Sequence, residues 1–313
     1  MPLICIFLSF ALIISVILHK TAEKDFYEVA DFSANEVSLR IYGRIALMER
    51  ALEATQKNLA DLDFSLPPSP STVKGIVLSF IESNPDAYNA WFAFESGVIF
   101  PDRRFFKSYI SDSSGVHEAY DITDEILANP SQSPWYNVPI STGKNYCDLT
   151  STYAAPPGES GVYIATLSFP LRDGDNLIGC VGVDVRLDRM LSFVRDIQIF
   201  NESRPVMLLS QQGEVIFSSQ PMGKGEYASI LATPAAVKKA AGSMERVVYK
   251  TSCGQGKQHL VCLIPFSIAH TSETVMLYTD IPVDILYKNV LCLAWPISVF
   301  LNGGFLATTA RLF

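Results

Sequence analysis

Two apolar runs, one near each end, constrain this chain more than anything between them. Leu3–Leu18 reads LICIFLSFALIISVIL and is followed by His19 and Lys20; the second run, Val290–Ala307, continues through Ala310 to Arg311. The first is slightly short of the roughly 20 apolar residues that cross a bilayer as a helix. A cleaved signal peptide would also be apolar. However, no basic residue precedes the run, no small-x-small cleavage site follows it, and a helical pattern continues straight out of it. The second run contains Pro296, Asn302, Gly303 and Gly304, and Gly and Pro are tolerated better in membrane helices than in soluble ones. The sequence therefore predicts transmembrane helices at residues 3–19 and 285–310. Charge encodes the orientation poorly: Arg311 favours an inside C-terminus, while Lys20 and Lys24 oppose the positive-inside trend. Export of the segment between the spans is expected because it is long and polar-patterned.

Hydrophobic residues make up 49% of the 313, and the net charge is -8, which excludes a nucleic-acid binder that works by charge. Of the six cysteines, Cys5 and Cys292 fall in the spans and Cys147 and Cys180 are isolated. Cys253 and Cys262 flank GQGKQHLV, where either a disulfide across a hairpin or two free thiols would fit.

Between the spans, Thr21 to about Asp61 has helical periodicity. Val37, Ile41, Ile45, Met48, Leu52 and Leu59 make one apolar stripe. A helix over residues 21–62 would reach about 60 Å at 1.5 Å per residue. Leu66-Pro-Pro-Ser-Pro70 stops it. The stripe suits packing along the chain's own domain and equally suits a homodimer through this helix. A short helix is predicted over Thr72–Ser83. Strands are predicted at Ala90–Phe94, Val98–Phe100 and Phe105–Ile110, with Glu95-Ser-Gly97 as a turn. Val162–Leu171 and Leu177–Leu187 form a hairpin around Arg172-Asp-Gly-Asp-Asn176, and Asp188 caps a helix reaching Ile199. A second unit starts near Arg204. Its strands fall at Val206–Leu209, Val215–Phe217, Met244–Lys250, Gln258–Ile264 and Thr274–Thr279, with a helix at Pro234–Ala241. The fold class is α+β: a long N-terminal helix, then two modules with antiparallel sheets, at residues 65–200 and 204–281.

The stretch Ser133–Lys144, SPWYNVPISTGK, sets Trp135 and Tyr136 side by side between prolines and reads as a loop. Neither helix nor strand periodicity requires two adjacent aromatics there. Asp184 lies in Gly179-Cys-Val-Gly-Val-Asp-Val185, a strand otherwise apolar on both sides. A carboxylate in that position must find a donor or become neutral, because desolvated charge is costly. No catalytic signature is present: no Gly-x-Ser-x-Gly, no His-Glu-x-x-His, no phosphate-binding glycine loop and no Cys-x-x-Cys. The four histidines are too scattered to suggest a metal site. Neither an enzymatic activity, a metal nor a cofactor is expected.

The order of these features is an N-terminal span, a long helix, an aromatic strand before FESG, WYNVPISTGK, SFPLRDGDNLIGCVGVDV and a second span. It resembles the double Cache sensor domains of bacterial transmembrane receptors, which occur in chemoreceptors, sensor histidine kinases and cyclic-dinucleotide enzymes. The resemblance covers residues from about 5 to 310. It implies a small-molecule pocket in the membrane-distal module, with Trp135 and Tyr136 as flat aromatic walls. It also implies that Asp184 receives a ligand ammonium group, as the matching aspartate does in the amino-acid-binding members. Trp91 fits either pocket lining or sheet core; Asp148 and Tyr153 fit either polar pocket contacts or solvated surface.

Two positions depart from the amino-acid-binding pattern. The arginine that grips a ligand carboxylate, two residues before the tryptophan, is Ser133 here, and a tyrosine five residues earlier is Ala128. An amine, polyamine or neutral heterocycle therefore fits better than a standard amino acid. The expected role is that of a receptor's sensory half in the plasma (inner) membrane, with the sensor region periplasmic and the cytoplasmic output module supplied by a longer chain or a partner. A binding or adhesion module without signalling, or an envelope enzyme, is the alternative.

Overall fold

The computed structural model describes residues 2–65, 68–119, 122–149, 152–153, 162–196, 198–199, 202–203, 206–219, 232–252, 256–268, 271 and 274–285. One helix, α1 (Pro2–Ala60), runs without a break through the first apolar run and the predicted stalk. Phe26, Ala30, Ala34, Val37, Ile41, Ile45, Met48, Leu52 and Leu59 are all buried along it, three or four residues apart or at twice that spacing, so one face is apolar over nearly ten turns. The predicted stripe is thus buried inside the subunit. Phe32, Leu39 and Leu47 lie off that stripe and are 69%, 61% and 66% exposed.

Helix α2 (Pro70–Ser83) starts at a Ser69 cap with proline in its first turn. The distal sheet follows, with β1 (Ala87–Phe94), β2 (Phe105–Asp112) and β3 (Gly115–Glu118). Helices α3 (Asp124–Leu127) and α4 (Pro134–Thr142) lead to β4 (Tyr146–Asp148), β5 (Thr152–Tyr153), β6 (Val162–Asp173) and β7 (Asn176–Arg186). The spatial order is β3-β2-β1-β7-β6-β4, with β5 also paired to β6, and every pairing is antiparallel. Because side chains alternate across a sheet, each central strand has two separate jobs. Phe92, Phe94, Leu167, Phe169, Val181 and Val183 point to α1 and α2 and join their core. Trp91, Ala93 and Cys180 point the other way and form a second cluster with Tyr136 and Leu127.

After β7 come a short helix α5 (Leu187–Met190), a 3-10 turn (Ser192–Asp196), and the two-residue strands β8 (Gln198–Ile199) and β9 (Glu202–Ser203). The proximal sheet comprises β10 (Val206–Ser210), β11 (Val215–Ser218), β12 (Val247–Ser252), β13 (Gln258–Ser267) and β14 (Thr274–Pro282), in the order β11-β10-β14-β13-β12. Helix α6 (Pro234–Ser243) fills one face through Ala236, Val237 and Ala240 against Met207, Leu209, Val261 and Tyr278. Leu208, Cys262, Ile264 and Leu277 on the other face belong to the same core as the α1 stripe. Both modules therefore rest on one helix. Midway along it, Phe26 and Ala30 pack against Leu260, Ile281 and Val283, Arg246 pairs with Asp31 at 2.6 Å, and Lys250 pairs with Glu23.

Three sequence readings are corrected. Val98–Phe100 is not a strand but part of a turn in which the Gly97 N–H donates to the Phe100 carbonyl at 2.7 Å, with Gly97 at φ 90°. No long helix follows Asp188; Arg186 binds that carboxylate through Nε and Nη2 at 3.0 and 2.8 Å, and α5 closes after one turn. Met244 does not open a strand: at φ 53° it is the left-handed cap of α6. Cys262 is a buried free thiol opposite Val248; Cys253 lies outside the described residues. Among the described residues no helix is long and apolar enough to cross a membrane. Leu3–Leu18 begins α1, with most of its side chains outside the described set, and Val290–Ala307 lies outside the described residues.

Leu52 is fully buried in the α1 stripe. Its replacement by alanine is expected to cost about 2–5 kcal/mol, and chemical denaturation of Leu52→Ala against the wild type checks this.

Candidate ligand site

The face of the distal sheet turned away from α1 is roofed by α4. The two prolines that make this stretch read as a loop have a different effect in the fold. Pro134 occupies the first turn, where a missing N–H costs nothing. Pro139 sits inside the helix and cannot donate to the carbonyl four residues back, which belongs to Trp135. The Ser168 hydroxyl from β6 donates to that carbonyl instead, at 2.6 Å. The helix is thereby pinned to the sheet, and it ends at Gly143 in a left-handed turn, φ 65°.

The pinned helix sets an aromatic group over the sheet. The Trp91 and Trp135 ring centroids are 4.4 Å apart at 65°, and Phe106 lies 5.9 Å from Trp135. Trp91 is 2% exposed, while Trp135 is partly exposed. Gly182 makes room for this arrangement: a Cβ there would stand 2.1 Å from Cζ2 of Trp91. Tyr136 is buried, and its hydroxyl donates to Glu95 Oε1. Arg104 Nε donates to Glu95 Oε2 at 3.2 Å, and its guanidinium lies 5.7 Å from the Tyr136 ring centroid. Tyr136 thus backs the aromatic group from within, and Trp135 carries the exposed part.

Beside the aromatics runs a polar row set by strand register. Asp148 on β4 pairs with Thr166 on β6, Thr166 with Asp184 on β7, and Asp184 with Asn89 on β1. The Thr166 hydroxyl donates to Asp184 Oδ1 at 2.7 Å, and Asn89 Nδ2 donates to Asp184 Oδ2 at 2.9 Å. None of the described ion pairs involves Asp184. Burial pushes its carboxyl above the ordinary range, the bonds from Thr166, Asn89 and the Trp91 indole pull it back, and the Asp148 charge adds to the rise. The hydroxyl hydrogens of Thr166 and Ser168, and one amide hydrogen of Asn89, already have protein acceptors. What the row offers is acceptor capacity beside aromatic faces, a combination suited to a cation or a donor-rich group.

The fold thus brings Trp91, Trp135, Asp184 and Asp148 onto one sheet face, with Tyr136 behind them. Tyr153 sits on the edge strand β5, paired with Val162, and its side chain is outside the described set. Ser133, where the resemblance would place an arginine, is buried and donates to the Ile126 carbonyl at 2.9 Å. Asn137 Nδ2 ties the same corner to the Leu127 carbonyl at 2.7 Å. Sequence reasoning missed Asn89, Thr166, Ser168 and Gly182. The alternation of Thr166 and Ser168 with Ala165 and Leu167 was the available signal, because it marks one polar face on a central strand.

Two outcomes follow from this geometry. Gly182→Ala forces the Trp91 ring to move and is expected to destabilise by about 1–3 kcal/mol, with an altered tryptophan emission spectrum. The raised Asp184 carboxyl keeps its proton in the folded chain to higher pH than in the unfolded one. Folding therefore retains a proton as pH rises from the ordinary 3.8 towards the folded value, and stability contributed by this group falls through that window. Relative to Asp184→Asn, the wild type should lose stability as pH is raised through this range. A pH series of thermal denaturation checks it, and parallel curves would contradict it.

Residues 73–192 match the family described as the methyl-accepting chemotaxis protein-like, first PDC sensor domain. No sequence among the curated proteins matches. Among solved structures, the periplasmic sensory domain of the Campylobacter jejuni chemoreceptor Tlp1 superposes with TM-score 0.64 at 11% identity, covering 82% of this chain and 96% of that one. The extracellular domain of the putative histidine kinase mmHK1S-Z3 gives TM-score 0.61 at 15% identity, covering 88% and 99%. The sensory domain of Campylobacter jejuni Tlp3 with isoleucine bound gives 0.55 at 14%, covering 87% and 98%. The fold of the chain is that of these two-module sensory domains, and its distal module is similar over residues 73–192 to the first PDC sensor domain of methyl-accepting chemotaxis protein-like receptors.

Proposed function

We propose that the chain is the sensory half of a transmembrane signalling receptor and that the distal sheet face binds a small molecule. An amine-type ligand suits the site best, a neutral donor-rich one next. The observation that carries the reading is the buried Asp184, which accepts from Thr166 and Asn89 at 2.7 and 2.9 Å with no cation paired to it among the described ion pairs. Trp91 and Trp135 supply the apolar wall, and Asp148 adds a second carboxylate to the row. The solved relative with isoleucine bound supports a ligand role for this kind of module. Ser133 in place of an arginine argues against a free carboxylate on the ligand.

In this reading the runs at Leu3–Leu18 and Val290–Ala307 are the two membrane spans. The segment between them is periplasmic, and no catalytic role is assigned to it. A second copy would meet the face of α1 that carries Phe32, Leu39 and Leu47, since the buried stripe is already occupied. Ligand binding would shift α1 relative to the second span and so reach an output module beyond this chain, to the extent that the ligand prefers one of two states.

The test is a thermal-shift screen of the full chain in detergent against amino acids, polyamines, aralkyl amines, purines and organic acids, with Asp184→Ala alongside. A ligand at 100 times its dissociation constant adds about 2.7 kcal/mol. The expected result is an amine that stabilises the wild type and not the variant. Stabilisation by organic acids alone would overturn the ligand assignment.

A further inference from the structure

Asn89 holds a buried acceptor. Its Oδ1 has no hydrogen-bond partner among the described residues, an uncommon state for a polar atom shielded from water. A flipped amide would not remove the problem. Nδ2 donates to Asp184 Oδ2 at 2.9 Å, and with Asp184 ionised, as an ammonium ligand requires, exchanging the two amide ends would set an oxygen against a carboxylate oxygen. The bond to Asp184 therefore fixes the orientation and leaves Oδ1 beside the carboxylate, as the other end of the same planar group. Both residues belong to the row two positions from Trp91 on β1, and Trp91 shares their face.

We infer that Asn89 determines the ligand's degree of substitution: its Oδ1 accepts a second N–H from the same nitrogen that Asp184 binds. This rests on the amine reading of the site and narrows it to primary amines. A primary ammonium has three N–H donors and can satisfy Asp184 and Asn89 together. A quaternary ammonium has none; it could use the faces of Trp91 and Trp135 but would leave both oxygens unmatched. Acceptors arranged side by side thus select by N–H count, as sites built to hydrogen-bond a group reject analogues that lack it.

The experiment is calorimetric titration of the full chain in detergent with 2-phenylethylamine and butylamine, each also as its N,N,N-trimethyl derivative. The wild type is expected to bind the primary amines at least about tenfold more tightly than the trimethyl forms. Asn89→Ala should weaken the primary amines and bring the ratio towards one. Thr166→Val, which removes a different bond to Asp184 but keeps Oδ1, should weaken both forms alike and preserve the ratio. Equal wild-type affinity for primary and trimethyl forms overturns the inference while leaving the amine reading intact, and it does so even if Asn89→Ala fails to fold. An unchanged ratio in a folded Asn89→Ala also overturns it. If neither form of either amine binds the wild type, the amine reading itself falls, and the inference with it.

Discussion

The burial of one face of α1 against both sheets is the interaction on which the rest of the structure depends. Neither module closes its core alone. Phe92, Val183 and Leu167 of the distal sheet and Leu208, Ile264 and Leu277 of the proximal sheet share a core with Val37, Ile41, Ile45 and Leu52 of the helix. Most of a helix's stability in a folded protein comes from tertiary packing of its apolar face rather than from propensity, and α1 has such a face along both sheets. The same packing gives both sheets one common support.

That arrangement places the candidate site within one peptide of the shared core. On β6, Thr166 faces Asp184 while its neighbours Ala165 and Leu167 face α1. These two residues line a small apolar cavity with Ile45 and Met48 of α1, Val185 of β7 and Leu208 of the proximal sheet. In the proposed receptor, a ligand that draws on Thr166 or Asp184 acts on strands that are also the seat of α1. At the proximal end, Phe26 and Ala30 against Ile281 and Val283 join the helix to the strand from which the chain exits.

Much of this was legible in the sequence, and the failures have physical causes. The α1 stripe, the β6–β7 hairpin and the two-module order followed from periodicity and turn residues. The stripe's partner was not legible, because an apolar face does not say whether its own domain or another copy covers it. SPWYNVPISTGK read as a loop because proline usually breaks helices; here Ser168, distant in sequence, takes the carbonyl that Pro139 leaves free. Asp184 stood out as a lone carboxylate in an apolar strand. Its neighbours Asn89 and Thr166 could be found only through register, since they come from strands about 95 and 18 residues away in sequence.

Ligand recognition in the proposed receptor turns on whether Asp184 is the group that meets the ligand's charge. An infrared titration of the full chain, with aspartate side chains isotopically labelled and Asp184→Asn as reference, follows the ionisation of this carboxyl directly. It would be run with and without saturating 2-phenylethylamine. A cation bound at Asp184 stabilises the carboxylate, so its titration should move to lower pH when the amine is present. A titration of Asp184 that stays in place at saturation would mean that the charge is met elsewhere, and would contradict the account.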